Sequence, residues 1–173
     1  YGVPVVGFGM SDSCEFDQQT AHEKALKNYN YALAGLSWII DVGGTAGFNL
    51  VSWPEMVLEN EMVAYIGEYL KGIQIDEERL AVDTILKVGP LPGSYMKEKH
   101  TRNWFRKEFY IPELNNKEFF ESWERGHVEL QDKAKAVALD ILDNHESPVD
   151  AAIQKELDDY LAFCMKRDID KAA

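Results

Sequence analysis

Two short apolar runs, each closed by glycine and separated by one helix-length segment, constrain this chain more than any other feature. Val3-Pro4-Val5-Val6-Gly7-Phe8-Gly9 and Leu36-Ser37-Trp38-Ile39-Ile40-Asp41-Val42 show little polar alternation, which is the pattern of strands buried on both faces. Between them, Gln18 to Ala34 carries Ala25, Leu26, Tyr29, Ala32 and Leu33 at helical spacing, and Gly35 stops it. Strand, helix and strand of these lengths predict a parallel βαβ unit with a right-handed crossover.

Two parallel strands cannot close a sheet by themselves. They would leave open edges and need cover on both faces. The expected remedy is a set of strands upstream of residue 1. A (β/α)8 TIM barrel takes roughly 250 residues. The fold class is therefore α/β: the C-terminal part of such a barrel, contributing its last two parallel strands, with a helical extension. Residues 1–88 are assigned to the last βα units, and 89–173 to an irregular aromatic and basic segment followed by helices packing on the barrel. The chain opens on Tyr1-Gly2-Val3-Pro4, with no initiator Met and no basic leader, so its start is read as lying inside a longer protein.

Further along, Ser52 and Glu55 form a capping box, with Pro54 in the first turn of a helix expected to run to about Tyr69. Its two apolar stripes, Met56-Val63-Ile66-Leu70 and Leu58-Met62-Tyr65-Tyr69, predict cover on two sides. Asp76 caps another helix, ending near Val88-Gly89-Pro90, and residues 89–115 are expected to be irregular. One long helix is expected from about Asn116 to Asn144, with Phe119, Trp123, Leu130, Ala134, Val137 and Ile141 on one face. A last one is capped by Ser147, with Pro148 first and Ile153, Leu157, Leu161 and Cys164 as its buried stripe.

Composition narrows the function classes. Thirty acidic against eighteen basic side chains give a formal charge of −12, a field that repels nucleic acid and anionic membranes. No apolar run approaches the roughly 20 residues that span a bilayer. Cys14 and Cys164 form neither a CxxC pair nor a zinc spacing, which fits a reduced cytoplasmic setting. The segment with Lys97, Lys99, His100, Thr101, Arg102, Arg106 and Lys107, interleaved with aromatics, is the basic exception. Its readings are pairing with acidic faces of the chain's own helices, docking of an acidic partner, or solvated charge over an aromatic cluster.

In a parallel barrel, chemistry sits at the C-terminal ends of the strands. That position selects Ser11, Asp12, Ser13, Cys14 and Asp17 after the first strand, and Asp41, Gly43, Gly44 and Thr45 after the second. Asp12 faces a substrate or braces its loop through backbone N–H groups. Cys14 is a nucleophile or an idle thiol, with no histidine close in sequence to activate it. Gly43-Gly44 makes a tight strand-to-loop turn or admits a cofactor phosphate, though GxGxxG is absent.

These residues also resemble a known family. Ser11-Asp12, Asp17, Gln19 and Glu23, spaced SDx4DxQx3E, are similar to a pattern of the trimethylamine methyltransferase family, whose members include glycine betaine methyltransferases. The likeness continues in order through Ala34-Gly35, Gly43-Gly44, Ser52, Glu55, Leu58-Glu59-Asn60-Glu61, Gly72-Ile73, Val88-Gly89-Pro90, Gly93, His100-Thr101, Arg106 and Trp123. The resemblance implies a (β/α)8 barrel of which this is the C-terminal third. It implies an activity as well: moving a methyl group from a small methylated amine, of betaine or trimethylamine type, to the Co(I) of a corrinoid carried by a cognate corrinoid protein.

Under that implication Asp12, Ser13 and Cys14 are the expected catalytic residues. Ser11, Asp41, Gly43, Gly44 and His100 are expected to bind substrate or corrinoid, with no metal held by the chain itself. Trimethylamine-specific members use pyrrolysine, and the loop near Ser13 and Cys14 is the candidate for that position; an ordinary residue there points towards a quaternary amine. A cytoplasmic homo-oligomer is expected. The alternative is a barrel-derived subunit that docks a partner and has lost catalysis.

Overall fold

Strand β1 (Val6–Phe8) and strand β2 (Trp38–Ile40) pair in parallel, in the register Val6↔Trp38, Gly7↔Ile39 and Phe8↔Ile40. The computed structural model describes residues 2–172, and side chains as far as residue 167. Helix α1 (Gln18–Leu33) crosses between the strands. The Asp17 carboxylate caps it by accepting from the Thr20 N–H, and Gly35, at φ 72°, turns the chain out of it. Gly7 sets the helix–sheet distance. A Cβ there would stand 2.7 Å from both Leu36 Cδ2 and the Tyr31 ring, so only glycine lets α1 lie this close to the strand.

The regular strands are three residues each, not seven, because the flanking residues enter loops. One face is covered by α1. On the other, Val6, Phe8 and Trp38 are largely exposed, so the expectation of cover on both faces is not met among the described residues. The fold is mixed α/β, mostly helical with few strands.

After β2 the chain makes a small antiparallel hairpin, β3 (Gly44–Thr45) with β4 (Leu50–Val51). Helix α2 (Trp53–Lys71) follows. Its Ser52 cap accepts from the Glu55 N–H at 3.3 Å, with Pro54 in the first turn, as the sequence predicts. The most buried side chains on α2 are not its apolar stripes but Glu55, Glu59 and Glu61.

Four expectations are corrected downstream. The helix after Asp76 is two short pieces, α3 (Glu77–Leu80) and α4 (Val82–Val88), because Ala81 adopts a left-handed conformation (φ 50°) between them. Residues 89–115 are not wholly irregular, since α5 (Lys99–Glu108) lies within them. It turns His100, Thr101 and Trp104 inward and its basic side chains outward. Two cations lie over the Trp104 ring: Arg79 at 4.3 Å and Lys107 at 4.9 Å. Arg79, which lies outside the basic segment, is itself held by Glu108 at 2.8 Å, so the contact the segment makes with this pair is the cation–ring one.

The long helix is interrupted as well. α6 (Phe120–Gly126) ends at glycine, His127 is extended, and α7 (Leu130–Asp143) begins afresh. The last helix, α8 (Ala151–Ala172), starts three residues later than Pro148 suggests, with the Asp150 carboxylate accepting from the Ala152 N–H at 2.8 Å. Ile153, Leu157 and Leu161, expected to be buried, are exposed, and Cys164 is half-buried.

The chain divides into two compact units, residues 1–138 and 139–173. The first holds both sheets and the fully buried residues. The second holds the end of α7 and α8, where Asn144 closes the last turn of α7 through 2.9 Å bonds to the Asp140 carbonyl and carboxylate. Among the described residues, no helix is long and apolar enough to cross a membrane.

Candidate functional site

The loop after β1 is built around one carboxylate. Glu23, one turn into α1, accepts the Ser11 hydroxyl (2.8 Å), the Asp12 N–H (2.9 Å) and the Gln19 amide (2.8 Å). Ser11 Oγ accepts the Ser13 N–H at 3.0 Å, and the Ser13 hydroxyl donates to the capping carboxylate of Asp17 at 3.1 Å. The SDx4DxQx3E spacing thus has a physical meaning: every named residue of the motif takes part in this network. The backbone N–H of Asp12, followed by the Gln19 amide and the Ser11 hydroxyl, pulls the Glu23 pKa down to about 2. Glu23 therefore braces the loop, a role the sequence reading considered for Asp12.

A pH dependence follows. A carboxylate whose folded pKa lies below the unfolded value contributes stability above about 4.5 and loses it as pH falls towards about 2. In urea titrations between pH 7 and pH 2, the wild type should lose stability across that window. Glu23→Gln should start lower and show a flatter acid limb; parallel limbs would mean that Glu23 does not hold the loop.

The loop after β2 is knitted to the first. Ser11 N–H donates to Gly44 O (3.3 Å), Ala46 N–H to Ser13 O (2.8 Å) and Gly47 N–H to Ser11 O (3.2 Å). The hairpin carries unusual backbone strain. Asp41 (φ 71°), Ala46 (φ 51°) and Phe48 (φ 69°) are non-glycine residues in the left-handed region, beside Gly43 (φ 76°) and Gly47 (φ 60°). Each such non-glycine residue costs about 1–3 kcal/mol, and clusters of this kind concentrate at functional sites.

Gly43 and Gly44 allow the turn but leave no room for a ligand against their α-carbons. A Cβ on Gly43 would lie 2.4 Å from Met56 Cγ, and one on Gly44 2.4 Å from the Phe48 ring. The tight-turn reading holds, and the cradle is filled by the chain's own side chains.

Below the two loops lies a buried ion cluster. Lys24 of α1 is fully buried and pairs with Glu59 of α2, with Glu55 at 3.8 Å. The other oxygen of Glu59 accepts the Gly43 N–H at 2.9 Å, so the cluster ties both helices to the end of β2. Burial raises the Glu55 pKa; Lys24 opposes this and Glu59 adds to it. A cavity of about 630 Å3 opens beside this cluster between α1 and α2, with Tyr29, Leu58, Met62 and Tyr65 on its walls. Its Lys24 and Glu59 are already paired with each other, and the strand-end loops remain the better place for chemistry.

Of the sequence-selected residues, the structure brings Ser11, Asp12, Ser13, Cys14, Asp41, Gly43 and Gly44 together at the ends of the two strands. Ser11 and Ser13 are buried in the floor, whereas Asp12 and Cys14 are exposed on top. His100 belongs elsewhere. Its Nε2 meets the Glu78 carbonyl at 2.9 Å and its ring neighbours Trp104. Missed from sequence were Lys24 and the individual roles of Glu23 and Glu59, although both glutamates stand in the family pattern.

Residues 1–168 match the family described as trimethylamine methyltransferase (MTTB). The chain belongs to that family. It is 31% identical over 165 residues to a glycine betaine methyltransferase of Desulfitobacterium hafniense (strain Y51), covering 94% of this chain and 34% of the relative. It is 30% identical over 160 residues to the trimethylamine methyltransferase MttB of Methanosarcina thermophila, covering 91% and 33%. A third relative, the trimethylamine methyltransferase MttB1 of Methanosarcina mazei (strain ATCC BAA-159 / DSM 3647 / Goe1 / Go1 / JCM 11833 / OCM 88), is 31% identical over 175 residues, covering 99% and 33%. The chain spans about one third of the length of these relatives.

Proposed function

We propose that this chain forms the closing third of a methyltransferase that takes a methyl group from a quaternary or tertiary methylated amine. In this reading β1 and β2 are the last two strands of a (β/α)8 barrel: the remaining strands pair at the free edges of this two-stranded sheet, and the exposed face with Val6, Phe8 and Trp38 turns towards the barrel interior. The observation that carries it is the pair of interlocked loops at the C-terminal ends of parallel strands, where barrel enzymes place their chemistry. The acceptor in this reading is a corrinoid on a separate protein, whose reduced cobalt supplies the nucleophile. Asp12 and Cys14 lie exposed on a braced floor, which suits a site that must receive a large group from outside.

The residues of this chain would act by holding and orienting. A cation whose methyl group is to be displaced in line must be fixed along one axis, and oriented binding supplies much of the rate. Asp12 is free to face such a cation because Glu23, and not its own carboxylate, holds its loop. Ser11 and Ser13 fix the backbone beneath it. The full protein is proposed to be a cytoplasmic homo-oligomer working with its cognate corrinoid protein.

The test is to incubate the full-length protein with a reduced corrinoid protein and a panel of methylated amines, glycine betaine and trimethylamine included. Transfer is followed by corrinoid absorbance and by the mass of the demethylated amine. Transfer from none of them would sink the proposal and favour the docking-subunit alternative. Asp12→Ala should cut kcat/KM roughly 10–100-fold, with stability within about 0.5 kcal/mol of wild type because its side chain is exposed. A comparable loss of stability would make it a structural residue.

A further inference from the structure

Phe48 stands out once the loops are laid together. It is a bulky aromatic at φ 69°, a conformation that glycine or asparagine adopts far more readily. The ring is not buried in compensation, since the residue keeps 48% of its surface exposed. One edge of the ring rests on Gly44, where a Cβ would stand 2.4 Å from Cδ2 and 2.8 Å from Cε2. Gly44 is in turn bonded through its carbonyl to the Ser11 N–H at 3.3 Å, directly before Asp12. The backbone is thus strained, and a glycine kept, where a half-exposed ring rests on the residue whose carbonyl is bonded to the Asp12 loop.

We propose that Phe48 is a specificity-determining residue of the strand-end site, its ring forming the aromatic wall that recognises the methylated ammonium head. The inference rests on the function proposed above and adds the residue that selects the cation. A ring face attracts a weakly hydrated ammonium that cannot donate strong hydrogen bonds, while Asp12 balances its charge at longer range. The Asp12 carboxylate alone would hold an inorganic cation or a lysine as readily. Ring and carboxylate together favour a cation clothed in methyl groups.

The test separates recognition from folding. Phe48→Gly and Phe48→Asn remove the ring but suit the left-handed backbone, so thermal midpoints should stay within about 3 °C of wild type. Phe48→Tyr keeps the ring. In the full-length protein, the Gly and Asn variants should raise KM for the accepted amine roughly 3–30-fold, with Tyr within about twofold of wild type. For an enzyme accepting glycine betaine, the inhibition constant of its uncharged-head isostere, 3,3-dimethylbutanoate, should move less than KM does. An unchanged KM in the Asn variant would overturn the proposal. So would a shared fall in midpoint with KM intact, which would make the ring a packing element. Should the wild type transfer no methyl group, the catalytic reading fails and Phe48 is judged by calorimetric binding of tetramethylammonium. Binding by wild type that is lost in Phe48→Asn supports the wall, and no binding by wild type overturns it.

Discussion

Replacing Lys24 with methionine should lower the stability of the full-length protein by about 3–5 kcal/mol, the usual cost of removing one partner from a buried ion pair. The side chain is fully buried and answers two carboxylates, Glu59 in direct contact and Glu55 at 3.8 Å. Methionine keeps most of the volume and removes only the charge, so the loss reports electrostatics rather than a cavity. Two acids would then share a buried site without a cation. Burial already holds the Glu55 pKa up against the pull of Lys24, and without that pull it rises further. A raised carboxylate pKa gives stability that is present below the unfolded value and lost as pH rises through the folded one. The deficit of Lys24→Met should therefore be largest near pH 8 and shrink towards pH 5. Adding Glu59→Gln should recover part of it, since replacing both partners of a buried pair is often close to neutral. Chemical denaturation at the two pH values measures all three quantities. A deficit under about 1 kcal/mol, independent of pH, would show that water reaches the cluster.

How much of this was readable in advance depends on where each signal is encoded. The βαβ unit was legible because its signals are local: apolar runs, a helical stripe, and glycines at the stops. The capping box at Ser52 and Glu55 was legible for the same reason. The break at Ala81 was not, because alanine carries no breaker chemistry of its own and its conformation is set by neighbours, whereas the break before His127 had a local signal in Gly126 that the apolar stripe from Phe119 to Ile141 overrode. Helix α5 was hidden by the Pro- and Gly-rich stretch before it and by aromatic residues that do not alternate cleanly. The hairpin at 44–51 was missed because three of its left-handed residues are Asp, Ala and Phe lying before or within the turn, where pattern reading looks for glycine or asparagine.

The candidate site divides along the same line. Its strand-end position followed from topology, so Ser11 to Cys14 and Asp41 to Gly44 could be selected from sequence. Which carboxylate braces and which is exposed could not, since Asp12 and Glu23 look alike until α1 is folded back over the loop. The burial of Glu55, Glu59 and Glu61 was equally hidden. An acidic residue on a helix reads as solvent-facing unless its partner is known, and here the partners are 16 to 54 positions away.

Glu61 provides the second large effect. Its carboxylate accepts the backbone N–H groups of Glu113 (2.8 Å), Leu114 (2.7 Å) and Asn115 (3.0 Å), so one side chain on α2 satisfies three successive donors of a distant loop. The donor that matters most is Leu114, which is buried and cannot turn to water; Glu113 is exposed and Asn115 half-buried. An unsatisfied buried donor costs about 1–3 kcal/mol and a charged acceptor more. Glu61→Ala should thus destabilise by about 2–4 kcal/mol in total. Glu61→Gln keeps one oxygen that can still accept from Leu114, and should cost roughly half as much. Hydrogen exchange gives the discriminating readout, because both variants should expose the amides of 113–115 before those of α1. The loss should also leave Asp12 and its loop undisturbed, since the Glu23 network shares no bond with Glu61. If amides 113–115 exchange no faster in Glu61→Ala, the loop is held by its own packing and Glu61 is only a buried charge.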